Sequence, residues 1–209
     1  MEQAEKMTVP DGPTLEGLLG LVEDPLGGLV VCHPHPLYGG DMENPVVVRA
    51  VEVASEAGLA TLRFNFRGVG GSTGTHGQGD TEQDDVTTAL ATLRSRLPEG
   101  RPLGLAGYSF GAVVAARVAA SRSRPAGLCL IAPPLAMADF GFFDGRDMEV
   151  LLVAGTRDPY CPVEDLEALA GRAPSARRTV IDGADHFFFG KLFPLGEAIR
   201  GWTRRWTDG

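Results

Sequence analysis

The chain has 209 residues, of which 44% are hydrophobic and 22% are charged, and its formal net charge at pH 7 is −8. This length and composition predict one globular domain, residues 1–209, with a full-sized hydrophobic core. Because the chain is acidic and its basic residues form only short pairs, nucleic acids and anionic membranes are not expected as partners.

The same features bear on where the protein works. No apolar run approaches the roughly 18 residues that a membrane span needs, and the polar N-terminal segment is unlike a signal peptide. Cys32 and Cys129 lie inside apolar runs, where a thiol packs as a small hydrophobic group, and Cys161 completes an odd number without metal-type spacing. We therefore expect a cytoplasmic protein.

Strands are predicted along the whole chain. The first 25 residues, with Pro-Asp-Gly-Pro-Thr between two runs, predict a hairpin. Six later apolar runs are mostly continuous rather than alternating, as in strands that are covered on both faces. These predicted strands are 27–32, 59–66, 102–108, 126–133, 148–155 and 176–182.

Helices are predicted between these strands. The first begins after Asn44, a good N-cap, with Pro45 at the first helical position, and Gly58 ends it. Three others are predicted, over about 80–97, directly after Ser109, and over about 194–206. Strands that alternate with helices predict an α/β fold, a mostly parallel sheet with helices on both faces.

Ser109 lies in the sequence Gly-Tyr-Ser-Phe-Gly, between a predicted strand and an alanine-rich helical segment. Gly107 and Gly111 lack Cβ atoms where the strand and the helix must approach closely. The tight turn that results exposes the hydroxyl at the C-terminal edge of the sheet, beside the N–H groups of the new helix. This is the arrangement of a nucleophile elbow, and we interpret Ser109 as a nucleophile.

A serine nucleophile needs a base and an acid that orients it. His186 follows the last predicted strand, so its loop can return the imidazole to Ser109. Asp158 directly follows the strand before it and is the predicted acid. Asp182 and Asp185 are rivals by proximity in sequence, but adjacent residues on one loop rarely point at each other.

The oxyanion formed in acyl transfer needs two N–H donors. One is predicted to be the N–H of Phe110, which follows the nucleophile. The other is expected from the loop after the strand 27–32, where Pro34 and Pro36 have no N–H. This leaves His35, or alternatively Leu37.

Metal and nucleotide sites are not expected, and no cofactor is predicted. His33 and His35 stand two apart in a proline-locked loop without a nearby cysteine or acidic cluster. The glycine-rich stretch 64–80 lacks the Gly-Lys-Ser/Thr of a phosphate loop, and Thr73 replaces the third glycine of a dinucleotide motif. We interpret this stretch as the floor of the site and Arg67 as the structural partner of a carboxylate.

Across nearly its whole length, the chain resembles the α/β-hydrolase superfamily. More narrowly, it resembles small, lidless, dienelactone-hydrolase-like members, which share the His-Pro-His-Pro-x-x-Gly-Gly sequence at 33–40 and the Asn-Phe-Arg-Gly-x-Gly-x-Ser-x-Gly sequence at 65–74. The resemblance implies an α/β-hydrolase fold with Ser109 as nucleophile, Asp158 as acid and His186 as base. Dienelactone hydrolases proper use a cysteine nucleophile, so their substrate is not expected here.

Together these features predict a serine hydrolase, carboxylesterase-like, that cleaves small, short-acyl esters through an acyl-enzyme. The stretch 134–147, where larger relatives insert a lid, is too short for a multi-helix cap, so long lipids are not expected as substrates. The phenylalanines at 140–143 and 187–189 line the site or pack in the core. Alternatives are a small peptidase or amidase, a thioesterase, a perhydrolase, and a non-catalytic binding protein of the same fold.

Overall fold

One sheet organises the part of the chain that the computed structural model describes, residues 2–143, 148–173 and 175–207. It has eight strands, in the order β1-β2-β4-β3-β5-β6-β7-β8. β1 and β2 form an antiparallel hairpin at one edge, and β3 to β8 run parallel. The strands are β1 Glu2–Thr8, β2 Thr14–Gly20, β3 Gly27–Cys32, β4 Leu59–Phe64, β5 Leu103–Tyr108, β6 Gly127–Ile131, β7 Glu149–Gly155 and β8 Ala176–Ile181.

Helices cover both faces of the sheet, as the continuous apolar strands predict. They are α1 Pro45–Glu56, α2 Glu82–Arg94, α3 Phe110–Ser121, α4 Val163–Arg172 and α5 Leu192–Thr207. The apolar sides of α2, α3 and α4 enclose one hydrophobic core with the sheet, and those of α1 and α5 enclose the other. The predicted fold class, an α/β-hydrolase fold, is therefore confirmed.

The start and the end of α1 are determined by its local sequence. The Asn44 side chain accepts a hydrogen bond from the Val46 N–H at 3.0 Å, and Pro45 opens the helix. Gly58 follows the last turn with φ +83°, a conformation that favours glycine. Val46 and Val47 form helices poorly by themselves, but both are buried in the core.

Two boundaries were predicted a few residues away from where they lie, and one helix was not predicted. β4 ends at Phe64: the N–H of Asn65 still donates to Glu16 O of β2, but the N–H of Phe66 turns away and donates to His33 Nε2. α2 begins at Glu82, because the preceding residues form a turn. α4 was not predicted, although Pro162 precedes it and Leu166 and Leu169 face the core.

The segment between β6 and β7 is short, and the residues described there form no cap domain. It holds a single 3₁₀ turn, Gly141–Phe143, and residues 144–147 of the predicted excursion lie outside the described residues. Within the described ranges, no helix is both long enough and apolar enough to cross a membrane.

Candidate active site

The C-terminal ends of the parallel strands meet at one edge of the sheet, and the predicted site residues lie on the loops there. Ser109 follows β5, Asp158 follows β7 and His186 follows β8. In an open α/β sheet, ligands bind outside the C-terminal ends of the strands, at the point where the strand order reverses. The topology therefore brings together residues that are up to 77 positions apart in sequence.

The turn between β5 and α3 has the geometry that its glycines predict. Ser109 has φ 54° and ψ −116°, a strained conformation for a residue with a side chain. A Cβ on Gly107 would lie 2.2 Å from Gly111 O, and one on Gly111 would lie 2.5 Å from His33 O. Glycine at both positions therefore allows the strand, the helix and the loop after β3 to pack closely.

Ser109, His186 and Asp158 form one hydrogen-bonded chain. The distance from Ser109 Oγ to His186 Nε2 is 3.0 Å, and that from His186 Nδ1 to Asp158 Oδ2 is 2.8 Å. The second carboxylate oxygen of Asp158 accepts the N–H groups of Tyr160 at 2.9 Å and Cys161 at 3.1 Å. Asp158 and His186 are buried, so water competes little for these bonds.

The rival carboxylates make other contacts. Asp182 Oδ1 lies 3.3 Å from the Thr156 hydroxyl. Asp185 Oδ1 accepts the N–H groups of Phe187 and Phe189, at 3.0 and 3.3 Å, and so holds its own loop. The structure thus places Asp158, and neither rival, against His186.

A buried tyrosine that the sequence analysis missed holds the loop of His186. The Tyr108 hydroxyl donates to the carbonyl of His186 at 2.9 Å. Burial, and secondarily the charges of Asp158 and Asp185, raises the pKa of Tyr108 above its usual value. The hydroxyl therefore remains a donor, and the position of the imidazole depends on a residue adjacent to Ser109.

In the described part of the chain, one N–H group in the loop after β3 and one at the start of α3 are without an acceptor. Leu37 N–H donates to His35 Nδ1 at 3.2 Å. By contrast, the N–H groups of His35 and Phe110 meet no acceptor among the described residues. The rings of these two residues lie 4.9 Å apart, so the loop packs against the start of α3. This arrangement favours His35 over Leu37 as the predicted second donor.

Burial, and then the charge of His76, lowers the pKa of His35. The imidazole is therefore neutral near pH 7 and can accept from Leu37. Glu82, fully buried, accepts two backbone N–H groups of the segment 77–79 and lies 3.0 Å from His76 Nδ1. This second carboxylate–histidine pair, which the sequence analysis missed, supports the ring of His35.

His33 connects two loops rather than binding a metal. Its Nδ1 donates to Pro34 O at 2.6 Å, and its Nε2 accepts the Phe66 N–H at 3.0 Å, so both ring nitrogens are engaged. Burial lowers the pKa of His33 from 6.5 to about 4. The neutral imidazole joins the loop of His35 to the glycine-rich stretch.

We expect the stability of the protein to decrease as the pH falls from 6.5 to about 4. Because the pKa of His33 is lower in the folded state, the unfolded chain binds more protons between pH 6.5 and 4. One such proton lowers the free energy of unfolding by up to about 1.4 kcal/mol per pH unit. The measurement is the free energy of unfolding in denaturant at pH 7.5 and 5.0, for wild type and His33→Gln. The variant should lose less stability, and equal losses would contradict this account.

The glycine-rich stretch is a scaffold, as predicted. The Arg67 guanidinium donates to both carboxylate oxygens of the buried Asp85, at distances of 2.6 to 3.1 Å. The Asn65 side chain accepts from Met42 N–H and donates to Glu16, which ties the stretch to the hairpin. Each of these contacts joins the stretch to another segment of the chain, so we interpret the stretch as a structural support for the floor of the site.

The phenylalanines that could line the site divide into two groups. Phe140, Phe143 and Phe188 are buried in the core and do not face solvent. The others are exposed: Phe142, at 36%, stacks on Phe140, whereas Phe187 and Phe189, at 57% and 77%, lie beside His186. The exposed rings of Phe187 and Phe189 therefore adjoin His186.

The arrangement can support acyl transfer. A hydroxyl at hydrogen-bonding distance from an imidazole, itself held by a buried carboxylate, is a nucleophile with its base. The N–H groups of His35 and Phe110, on segments that pack against each other next to Ser109, are the candidates to stabilise an oxyanion.

Known proteins are similar to this chain in sequence and in structure. The sequence model of the family "Serine aminopeptidase, S33" matches residues 46–142. An uncharacterized protein of Rickettsia prowazekii is 34% identical over 179 residues, which are 81% of this chain and 75% of that protein.

Two solved structures are similar over nearly their whole length. The α/β serine hydrolase homologue from Coxiella burnetii is 33% identical, with a TM-score of 0.87, and the alignment covers 95% of this chain and 96% of that one. A Xanthomonas campestris protein, described as a member of the α/β serine hydrolases without lid, is 33% identical, with a TM-score of 0.88. Here the alignment covers 98% of this chain and 94% of that one.

Proposed function

Because the chain belongs to the α/β serine hydrolases without lid, we propose that it cleaves small, short-acyl carboxylic esters through an acyl-enzyme on Ser109. The observation that carries this proposal is the hydrogen-bonded chain of Ser109, His186 and Asp158, with distances of 3.0 and 2.8 Å. The three free cysteines are buried, which supports our placement of the enzyme in the cytoplasm.

In the proposed mechanism, Ser109 Oγ attacks the ester carbonyl carbon while its proton passes to His186 Nε2. The carbonyl oxygen becomes an oxyanion, which the N–H groups of His35 and Phe110 stabilise. Asp158 accepts a hydrogen bond from the Nδ1–H group of His186, fixes the tautomer and stabilises the imidazolium without taking up the proton.

The tetrahedral intermediate then collapses. His186 gives its proton to the leaving alkoxide oxygen, the C–O bond breaks and the alcohol departs, leaving the acyl group on Ser109. Water attacks this acyl-enzyme with His186 as base and releases the acid. We favour esters over amides because an alkoxide leaves without strong protonation.

The size of the acyl group follows from the open site. A lipase buries a long acyl chain under a mobile cap and gains about 0.8 kcal/mol per buried CH₂. Here the described residues between β6 and β7 form only short turns, and Phe140 and Phe143 are buried in the core. Beyond a few carbons, further methylenes remain in water and contribute nothing to binding of the transition state.

We therefore expect kcat/KM to peak with acetyl to hexanoyl esters and to fall by decanoyl, without activation at a lipid interface. The purified protein is assayed on 4-nitrophenyl esters with acyl chains of increasing length, from acetate to palmitate. Highest efficiency on palmitate would contradict the proposal, since it would require a deep apolar tunnel.

A peptidase is the second candidate, and the match to the serine aminopeptidase model favours it. The same residues would then attack an amide. Aminoacyl 4-nitroanilides and aminoacyl 4-nitrophenyl esters with the same amino acid separate the two candidates. An esterase hydrolyses only the esters at a useful rate, whereas an aminopeptidase cleaves both.

A further inference from the structure

Two separate groups of aromatic rings flank Ser109. On the side of the two unpaired N–H groups, Phe110 and His35 contact each other and the rings of Tyr38, Phe66 and His76. On the other side, His186 contacts a second set, made up of Tyr108, Tyr160 and Phe187. Within the described ranges, the two groups share no residue, so they form different walls.

Of the rings that contact His186, two are open to solvent. Tyr160 is 42% exposed and Phe187 is 57% exposed, whereas Tyr108 is buried beneath them. The ring centroids of Tyr160 and Phe187 lie 4.8 and 5.7 Å from that of His186, at interplanar angles of 66° and 84°. Large apolar surface next to a reacting group is a common sign of a binding site.

Hydrogen bonds hold the backbone from which both rings project. The N–H of Tyr160 donates to Asp158 Oδ1 at 2.9 Å, and the N–H of Phe187 donates to Asp185 Oδ1 at 3.0 Å. The rings are therefore positioned by the same loops that position the acid and the base. Because this backbone is already held, the two residues lose less conformational freedom when they bind a ligand.

The direction of the reaction shows which part of the substrate meets these rings. The oxyanion lies toward the N–H groups of His35 and Phe110, whereas the leaving oxygen must reach His186 Nε2 to take its proton. The alcohol part of the ester is thus on the side of His186. Rings that contact His186 face the alcohol, and those that contact Phe110 do not.

We infer that Tyr160 and Phe187 form a subsite for an aromatic alcohol, so that the preferred substrates are aryl or arylmethyl esters of short acids. This inference rests on the proposed function and adds the identity of the leaving group. Each of the two rings lies edge-to-face with the His186 imidazole, and exposed aromatic rings favour a further aromatic ring over an alkyl group of similar size.

The test uses two isomeric esters, benzyl acetate and methyl phenylacetate. They have the same atoms and carry the phenyl group on the alcohol side and the acyl side, respectively. Their alcohols, benzyl alcohol and methanol, are of similar acidity, so intrinsic leaving ability differs little. The quantity measured is the ratio of kcat/KM for benzyl acetate to kcat/KM for methyl phenylacetate, in wild type and in each variant.

We expect this ratio to fall about 10-fold in Tyr160→Ala and in Phe187→Ala, through loss of benzyl acetate hydrolysis. Tyr160→Phe keeps the ring and should keep the ratio. Phe193→Ala is the matched control for a lost exposed ring, because Phe193 is 72% exposed and contacts no other ring in the described part of the chain.

An unchanged ratio in both alanine variants would overturn the inference while leaving the esterase proposal in place. Equal loss of both esters would also overturn it, because the rings would then act only by supporting His186. If the wild type hydrolyses neither ester and takes up no serine-directed probe, the proposed function itself fails, and the inference fails with it.

Discussion

Replacing Ser109 by alanine should reduce ester hydrolysis on the order of 10⁶-fold, the typical cost of removing a triad nucleophile. The hydroxyl makes its side-chain hydrogen bond to His186 Nε2 and to no core group. Alanine keeps the Cβ, so the strained turn at φ 54° is unchanged and the fold should be retained. Initial rates on 4-nitrophenyl acetate measure the loss, and thermal unfolding checks the fold.

Ser55→Ala is a suitable control for this change. Ser55 is exposed on α1, far in sequence from the site loops, and its replacement should leave the rate unchanged. Substantial residual turnover by purified, folded Ser109→Ala would end the assignment of the nucleophile.

Asp158→Asn should reduce activity by roughly 10⁴-fold, by analogy with other triads. Asp158 Oδ1 accepts two backbone N–H groups, so the oxygen of an asparagine amide belongs at that position. Its NH₂ group would then face His186 Nδ1, where Asp158 Oδ2 now lies at 2.8 Å. A donor there stabilises the wrong tautomer, with the proton on Nε2, and the imidazole can no longer act as a base toward Ser109.

Two isosteric changes serve as matched controls for this prediction. Asp182→Asn and Asp185→Asn each replace a carboxylate near His186 in sequence, and we expect a much smaller loss of kcat for both. Asp182 bonds to a threonine hydroxyl and Asp185 holds its own loop. If Asp185→Asn reduced activity as much as we expect for Asp158→Asn, our choice of carboxylate would be wrong.

Much of the fold could be predicted because the sequence features that indicate it lie within a few consecutive residues. Continuous apolar runs identify strands that are covered on both faces, and the Asn44 cap with Pro45 marks a helix start within one turn of chain. α4 was missed because it is short, and its apolar residues, Leu166 and Leu169, are few. The end of β4 was misplaced because it depends on His33, which is 33 positions away from Phe66.

Candidate site residues were predictable where chain order and chemistry agree. The strand–turn–helix context identified Ser109, and the loops after the last two strands identified Asp158 and His186. The supporting residues could not be found in this way. Tyr108, Glu82 and the rings beside His186 act through contacts between distant segments, and nothing in their local sequence differs from ordinary core or loop positions.

The central claim, that Ser109 is the nucleophile, is tested most directly by covalent labelling with a fluorophosphonate probe and peptide mass spectrometry. The reaction transfers the phosphonyl group to Oγ and releases fluoride. We predict one adduct, on Ser109, which is absent in Ser109→Ala and forms much more slowly in Asp158→Asn. An unlabelled wild-type protein, or an adduct on another residue with Ser109 unmodified, would contradict the account and favour a non-catalytic protein of the same fold.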